Sequence, residues 1–424
     1  MKQTSFLDKD FCGQKLDAVI NLVRRLLADD YPHKDSRLAL EIILRFYEGE
    51  RAFLNSIDES AELDTTLEIC RRININIVLL KPFVGLLLRS SNLRNAFEIY
   101  FPIKVLATEL LEEDSRVVLS SEWAFSPFTY PVALQQLPTF VFIGVPASEC
   151  HNPLVIPLAA HELGHVVWRR KGVKAESDPI TRAKILDLYR SRWDDVKKLF
   201  DFDLDVSKLE TDMFIRQIWA RSYQFAQRQL EEVFCDLLGA YVFGQAFLYS
   251  FRYLIAPSLG HVRSVYYPRP RSRAEYMQST ATLYGLPKIS DFVDAFSAQD
   301  VSLPPSEKFI VEVADVATDS LQTQLLPLVS KYSGKADCFT IGSCHQGQIV
   351  KNFRNLVPSA AVTSISAIVN AGWELRLSID EWDIVGTISD HVTRRAEKLR
   401  ILRDLILKSF EVYEFRKRIE KDAT

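Results

Sequence analysis

The chain of 424 residues lacks a surplus of charge: 52 Lys and Arg stand against 55 Asp and Glu, for a formal net charge of -3. That balance argues against a nucleic-acid or anionic-membrane binder, which needs a basic excess, and no nucleic acid is expected as a partner. Long apolar runs are also missing; the most hydrophobic stretch, IVLLKPFVGLLL, is interrupted by Lys81 and Pro82 and is too short to cross a bilayer by itself. The opening MKQTSFLDKDFCGQK has no apolar segment of the kind that directs secretion. No CxxC pair occurs, and the six cysteines at positions 12, 70, 150, 235, 338 and 344 are scattered, which suits reduced thiols better than a disulfide framework. These absences lead to the expectation of a soluble, cytoplasmic protein without a membrane partner. Internal repeats and low-complexity tracts are absent too, while 47% hydrophobic residues supply a large core and exclude disorder.

What is present reads as mostly helical. From Phe11 to about Ile57 apolar residues recur at three and four, interrupted at DDYPHKDS, and a second helical stretch runs from Leu63 to Leu111. Between Ser115 and Val145 the β-branched and aromatic segments RVVLSSEWAFSPFTYP and FVFIGV have the character of short strands. Helix returns near Pro153 with breaks at RKGVKAESDP and DFDLDVS, and an amphipathic helix closes the chain from about Ser389 to Arg418. The expected fold is α+β, predominantly helical, divided into an N-terminal helical region (1–112), a metal-binding core with a small sheet (113–275) and a C-terminal helical region (276–424).

The distinctive stretch is PLAAHELGHVVW, residues 157–168. Asn152 and Pro153 supply a cap and a first helical position, and Gly172 a stop, so the stretch is expected inside a helix. Residues four apart share a helix face, so His161 and His165 present their imidazoles to one ion. Glu162 projects beside them, placed to take a proton from water whose pKa a metal brings towards about 7. A core helix that merely contains histidines is the alternative, but with seven histidines in the chain this motif arises by chance in on the order of one such sequence in a hundred. Gly164 adds weight. Within a helix it loses roughly 1 kcal/mol relative to Ala, so it is expected to admit a close neighbour.

A catalytic zinc takes three protein ligands and leaves one position open. Downstream, QRQLEEVFCDLLGAYVFGQAF is an apolar helix carrying Glu231, Glu232 and Asp236, carboxylates that require partners when buried. HELGH followed by a separate helix with Glu-x-x-x-Asp resembles the gluzincin, or thermolysin-like, zinc metallopeptidases. The resemblance implies a zincin-like core, Zn2+ held by His161, His165 and Glu232, Glu162 as general base, Asp236 orienting His161, and a peptide or protein substrate. The register follows from side-chain chemistry: Glu232 has a carboxylate four residues on, whereas Glu231 has Cys235, a poorer acceptor for an imidazole N–H. Glu231 is therefore expected to face an arginine or solvent.

There are departures from the family. The 67 residues between His165 and Glu232 imply a helical insertion, the aminopeptidase signature GxMEN is missing, and position 171 is Lys where a metzincin has its third histidine. An NAF tripeptide at Asn95 lies far upstream. In the family a Tyr, His or Arg beyond the glutamate helix donates to the oxyanion. The candidates are in HVRSVYYPRPRSR: His261 and Tyr267 foremost, with Tyr266, Arg269, Arg271 and Arg273, although a solvated basic loop accounts for most of the arginines. FVFIGVP is the strand expected to pair with an extended substrate. Cys338, Cys344 and His345 offer too few ligands for a second metal, and Cys150 and His151 read as packing and capping residues. A zincin-fold interaction or sensor protein that binds zinc without cleaving, using its helical flanks to contact a protein partner, is the competing expectation.

Overall fold

The computed structural model describes residues 2–57, 63–91, 97–124, 126–130, 133–200, 205–256, 263–296, 302–333, 345–359, 364–384 and 390–422. His261, Asn95, Cys338 and Cys344 lie outside these residues, as does the side chain of His345. Among the described residues the chain is predominantly helical with one three-stranded sheet. In order the elements are α1 (Lys2–Leu27), α2 (Lys34–Ser56), α3 (Leu63–Ser90), α4 (Tyr100–Leu110), β1 (Arg116–Glu122), β2 (Phe128–Thr129), β3 (Phe140–Pro146), α5 (Pro157–Arg170), α6 (Val173–Ser191), α7 (Trp193–Phe200), α8 (Met213–Phe243), α9 (Gln245–Ile255), α10 (Pro270–Leu283), α11 (Pro305–Leu321), α12 (Leu325–Tyr332), α13 (His345–Arg354), α14 (Ile365–Leu377) and α15 (His391–Asp422).

Two compact units result, residues 1–100 with 114–151, and residues 101–113 with 152–424. This differs from the three regions expected, because the strands belong with the N-terminal helices. Val118, Phe140 and Phe142 of the sheet join one apolar core with Leu16, Ile20 and Val23 of α1, Leu40, Ile43 and Tyr47 of α2, and Ile73, Leu80 and Leu87 of α3. The helical residues recur at three to four, so each helix turns one stripe inward. Buried Asp35 ties the start of α2 to β1 by accepting from the Val117 N–H (2.9 Å), the Arg116 guanidinium (3.2 Å) and the Tyr100 hydroxyl (2.9 Å).

Two sequence expectations change in this unit. Lys81 and Pro82 interrupt the apolar run but not the helix expected there; Pro82 sits inside a continuous α3, where neighbouring Phe83, Val84, Leu86 and Leu87 are buried and their packing offsets the missing hydrogen bond. The segment Asp64–Ser90 is thereby long and apolar enough to cross a membrane by length and composition. Strand β3 is not an edge. It pairs in parallel with β1 along Phe140–Pro146 and antiparallel with the two residues of β2 at Ile143 and Gly144, so it is the central strand of the sheet.

In the second unit α8 is the spine, packed by α5, α6, α9, α10, α11, α12 and α14. Asn152 caps only a short 3-10 turn, and α5 begins at Pro157. Gly172, at φ +84°, ends α5, but α6 starts at once and carries the polar AESDP segment inside it. The insertion between the motif helices is thus α6 and α7, whose Ile185, Tyr189 and Val196 form a core with Trp219 of α8 and Phe309, Val313 and Ala317 of α11. After α8 the chain folds back, and Asn370 of α14 seals the junction by accepting from Ala246 N–H (3.0 Å) and donating to Phe243 C=O (2.8 Å).

The crossing of α5 and α8 is the feature that builds the site. At Gly164 a Cβ would lie 2.9 Å from the Cys235 sulfur and 3.0 Å from its Cα, so the absent side chain sets how closely the two backbones approach. Gly164→Ala should therefore destabilise the fold by about 1–3 kcal/mol through overpacking, against the gain of about 1 kcal/mol that alanine brings to an open helix. Urea unfolding of the metal-free variant reads the sign.

Candidate metal centre

On α5 the side chains of His161 and His165 lie one turn apart with ring centroids 5.0 Å from each other. Glu232 on α8 faces both: its two carboxylate oxygens are 3.5 Å from His161 Nε2 and 3.6 Å from His165 Nε2. Donor atoms bound to one small ion at about 2.0–2.2 Å stand roughly 3.4 Å apart across a tetrahedron, so each imidazole is at ligand spacing from one oxygen of Glu232. Cys235, one turn beyond Glu232, also brings its sulfur near, and His161, His165 and Cys235 each offer a ligand atom within 4.8 Å of the others. The donor set fits a single metal ion.

The remaining ring nitrogens are each held by a different carboxylate. His161 Nδ1 is 2.9 Å from Asp236 Oδ1, a close contact in which the N–H is not squarely aligned with the oxygen. His165 Nδ1 is 3.0 Å from Glu231 Oε1. The expected arginines are at Glu231 as well, Arg228 at 2.6 Å and Arg169 at 3.3 Å, but its contact with His165 is an added role that was not expected. Adjacent residues on a helix point about 100° apart. Glu231 and Glu232 therefore reach the same pair of rings from two sides, one at an outer nitrogen and one between the inner ones.

Arg273, near the start of α10, closes the cluster. Its Nη2 donates to Asp236 (2.9 Å) and Glu232 (3.2 Å), its Nε donates to Asp236, and its guanidinium lies over the rings of Phe251 and Tyr267 at 4.9 and 5.7 Å. Committed to two carboxylates, it is not the free oxyanion donor the sequence offered. Arg271 sits in solvent-side pairs with Glu275 and Asp294, and Arg269 lies 3.6 Å from Asp315. Tyr266 packs in a T-shaped pair with Phe225. Tyr267 remains. Its carbonyl accepts from buried Arg263 (3.0 Å), itself paired with Asp315, and no hydrogen bond to its hydroxyl is formed among the described residues.

Burial governs the electrostatics. It pushes the Glu232 carboxyl up, but the hydrogen bond to His161, then the charges of Arg273, His165 and His161, prevail and hold it at about 2. Burial likewise lowers His161, which Asp236 and Glu232 more than restore, to about 10. Glu162 goes the other way: burial raises its carboxyl above the ordinary range, only partly opposed by His161 and His165. Tyr267 is raised first by the charge on Glu232 and then by burial, which places the phenol within the field of the centre.

The sequence offered Arg273 only as an oxyanion donor, and spacing gave no hint of its pairing with Asp236 and Glu232 or of the Glu231–His165 contact. The only trace in the sequence is chemical, since three carboxylates on an apolar helix demand cations from elsewhere in the fold. Removing Arg273 would leave Glu232 and Asp236 buried and uncompensated. Arg273→Ala should thus destabilise the metal-free protein by about 3–5 kcal/mol, while Arg271→Ala, on the solvent side, should stay within about 0.5 kcal/mol of the parent; denaturant melts of the two variants test the contrast. No family model matches this chain, and no curated protein and no solved structure matches it.

Proposed function

We propose that this chain is a zinc-dependent peptidase, with Zn2+ held by His161, His165 and Glu232. The observation that carries the reading is the centre's three-part symmetry: two imidazole Nε2 atoms on the two oxygens of Glu232, and each Nδ1 backed by its own carboxylate. Two neutral nitrogens and one carboxylate are a donor set that zinc favours, and backing carboxylates fix the tautomer and raise ligand basicity. When bound, zinc supplies Lewis acidity and brings the pKa of water towards about 7.

The protein's own groups perform the rest. Glu162, buried and with no hydrogen bond to its carboxylate among the described residues, has an enhanced affinity for a proton and takes one from the attacking water. It then delivers that proton to the leaving amine. Tyr267 is the donor for the oxygen of the scissile carbonyl, since its hydroxyl is unengaged and its position is fixed through Arg263. Asp236 and Glu231 hold the histidines, and Arg273 helps keep Glu232 ionised. A peptide or protein substrate, a cytoplasmic location and protein contacts through the helical flanks belong to the same reading. Zinc binding without cleavage is the competing reading, favoured by the proximity of Cys235.

About one zinc per chain is expected by elemental analysis, and His161→Ala should abolish it. Glu162→Gln should keep the metal and lower hydrolysis of a peptide library by about 100-fold or more; Tyr267→Phe should lower kcat by a similar factor with KM little changed. A wild type that binds zinc yet cleaves nothing in a proteome-derived peptide library would select the competing reading. Because the metal-free His161 carries a proton up to about 10, zinc must displace it. Affinity should rise with pH by up to about tenfold per unit across the neutral range, as chelator competition at several pH values would show. Glu231→Ala should weaken retention by about 10- to 100-fold, as should Asp236→Ala, since each frees one ring.

A further inference from the structure

Cys235 is unexplained by the three-ligand centre. It lies three residues after Glu232 on α8 and so shares its face, it is fully buried, and its sulfur stands within 4.8 Å of a ligand nitrogen of both His161 and His165. It reaches that position because α5 has no Cβ at Gly164, against which the sulfur packs. A substitution-tolerant packing residue would need neither the glycine nor a ligand atom aimed at the histidines.

Resting on the zinc reading above, we infer that Cys235 is a fourth ligand, occupying the coordination position that a peptidase leaves open for water. The folded peptidase is then restrained rather than silent, and cleaves only while the thiolate is off the metal. On coordination the S–H bond breaks, the proton passes to solvent and the sulfur pair forms the bond to the metal; nothing is oxidised or reduced. Four protein ligands make a closed site, three an open one, so the same centre changes class with one sulfur.

The full-length protein loaded with Co2+ should show near-ultraviolet thiolate-to-cobalt charge transfer, and Cys235→Ala should lose that absorption while retaining about one Co2+ per chain. Zinc-edge X-ray absorption of the unaltered Zn2+ protein supplies a reading that requires no variant: one sulfur at about 2.3 Å among nitrogen and oxygen neighbours. Cys235→Ala should also cleave peptides faster than the parent. A stoichiometric Zn2+ shell of nitrogen and oxygen alone overturns the thiolate ligand and leaves the peptidase reading standing. Charge transfer that survives in Cys235→Ala overturns it too, by assigning the band to another thiol. Failure to bind either metal removes both proposals together.

Discussion

Everything at the candidate centre depends on the approach of α5 to α8 at Gly164. With no side chain there, Cys235 meets the α5 backbone, and the two helices bring His161 and His165 against Glu231, Glu232 and Asp236. A larger residue would open the crossing by a few tenths of an ångström or more. Distances of 3.5 and 3.6 Å between imidazole and carboxylate tolerate little such change, because ligand spacing round a small ion is fixed by bond lengths of about 2 Å.

The second constraint is electrostatic. Four carboxylates concentrated on two apolar helices are stable only if each finds a cation or a metal, since unpaired buried charge is far more costly than the pairing returns. The fold meets this from several directions: Arg169 from α5, Arg228 from within α8 and Arg273 from α10. Glu162 alone is left without a partner among the described residues, and burial raises its proton affinity. The group with the least compensation is the one assigned to move a proton, a division of labour set by position.

The order of elements explains how so long an insertion is accommodated. Between the two motif helices, α6 and α7 fold into a core with α11 and the first turns of α8. That core fixes the N-terminal half of α8, while α9 and α14 fix the other end through Asn370 and through Ser250 and Trp373, both of which donate to the Leu154 carbonyl. The segment of α8 that bears the carboxylates is thereby held from both sides.

The sequence by itself determined the helical character, the helix bearing HELGH, the pairing of His161 with Asp236 and the choice of Glu232 over Glu231 for the inner position. These follow from helical periodicity and from the chemistry of side chains three or four residues apart, which are local. It also marked Gly164 as a point of close packing. The contact of Glu231 with His165, the diversion of Arg273 to Asp236 and Glu232, the central place of β3 and the approach of Cys235 to the histidines were decided only by tertiary structure. Each depends on residues tens of positions apart meeting across a helix crossing or a sheet, and no spacing within one element encodes which distant side chain will arrive.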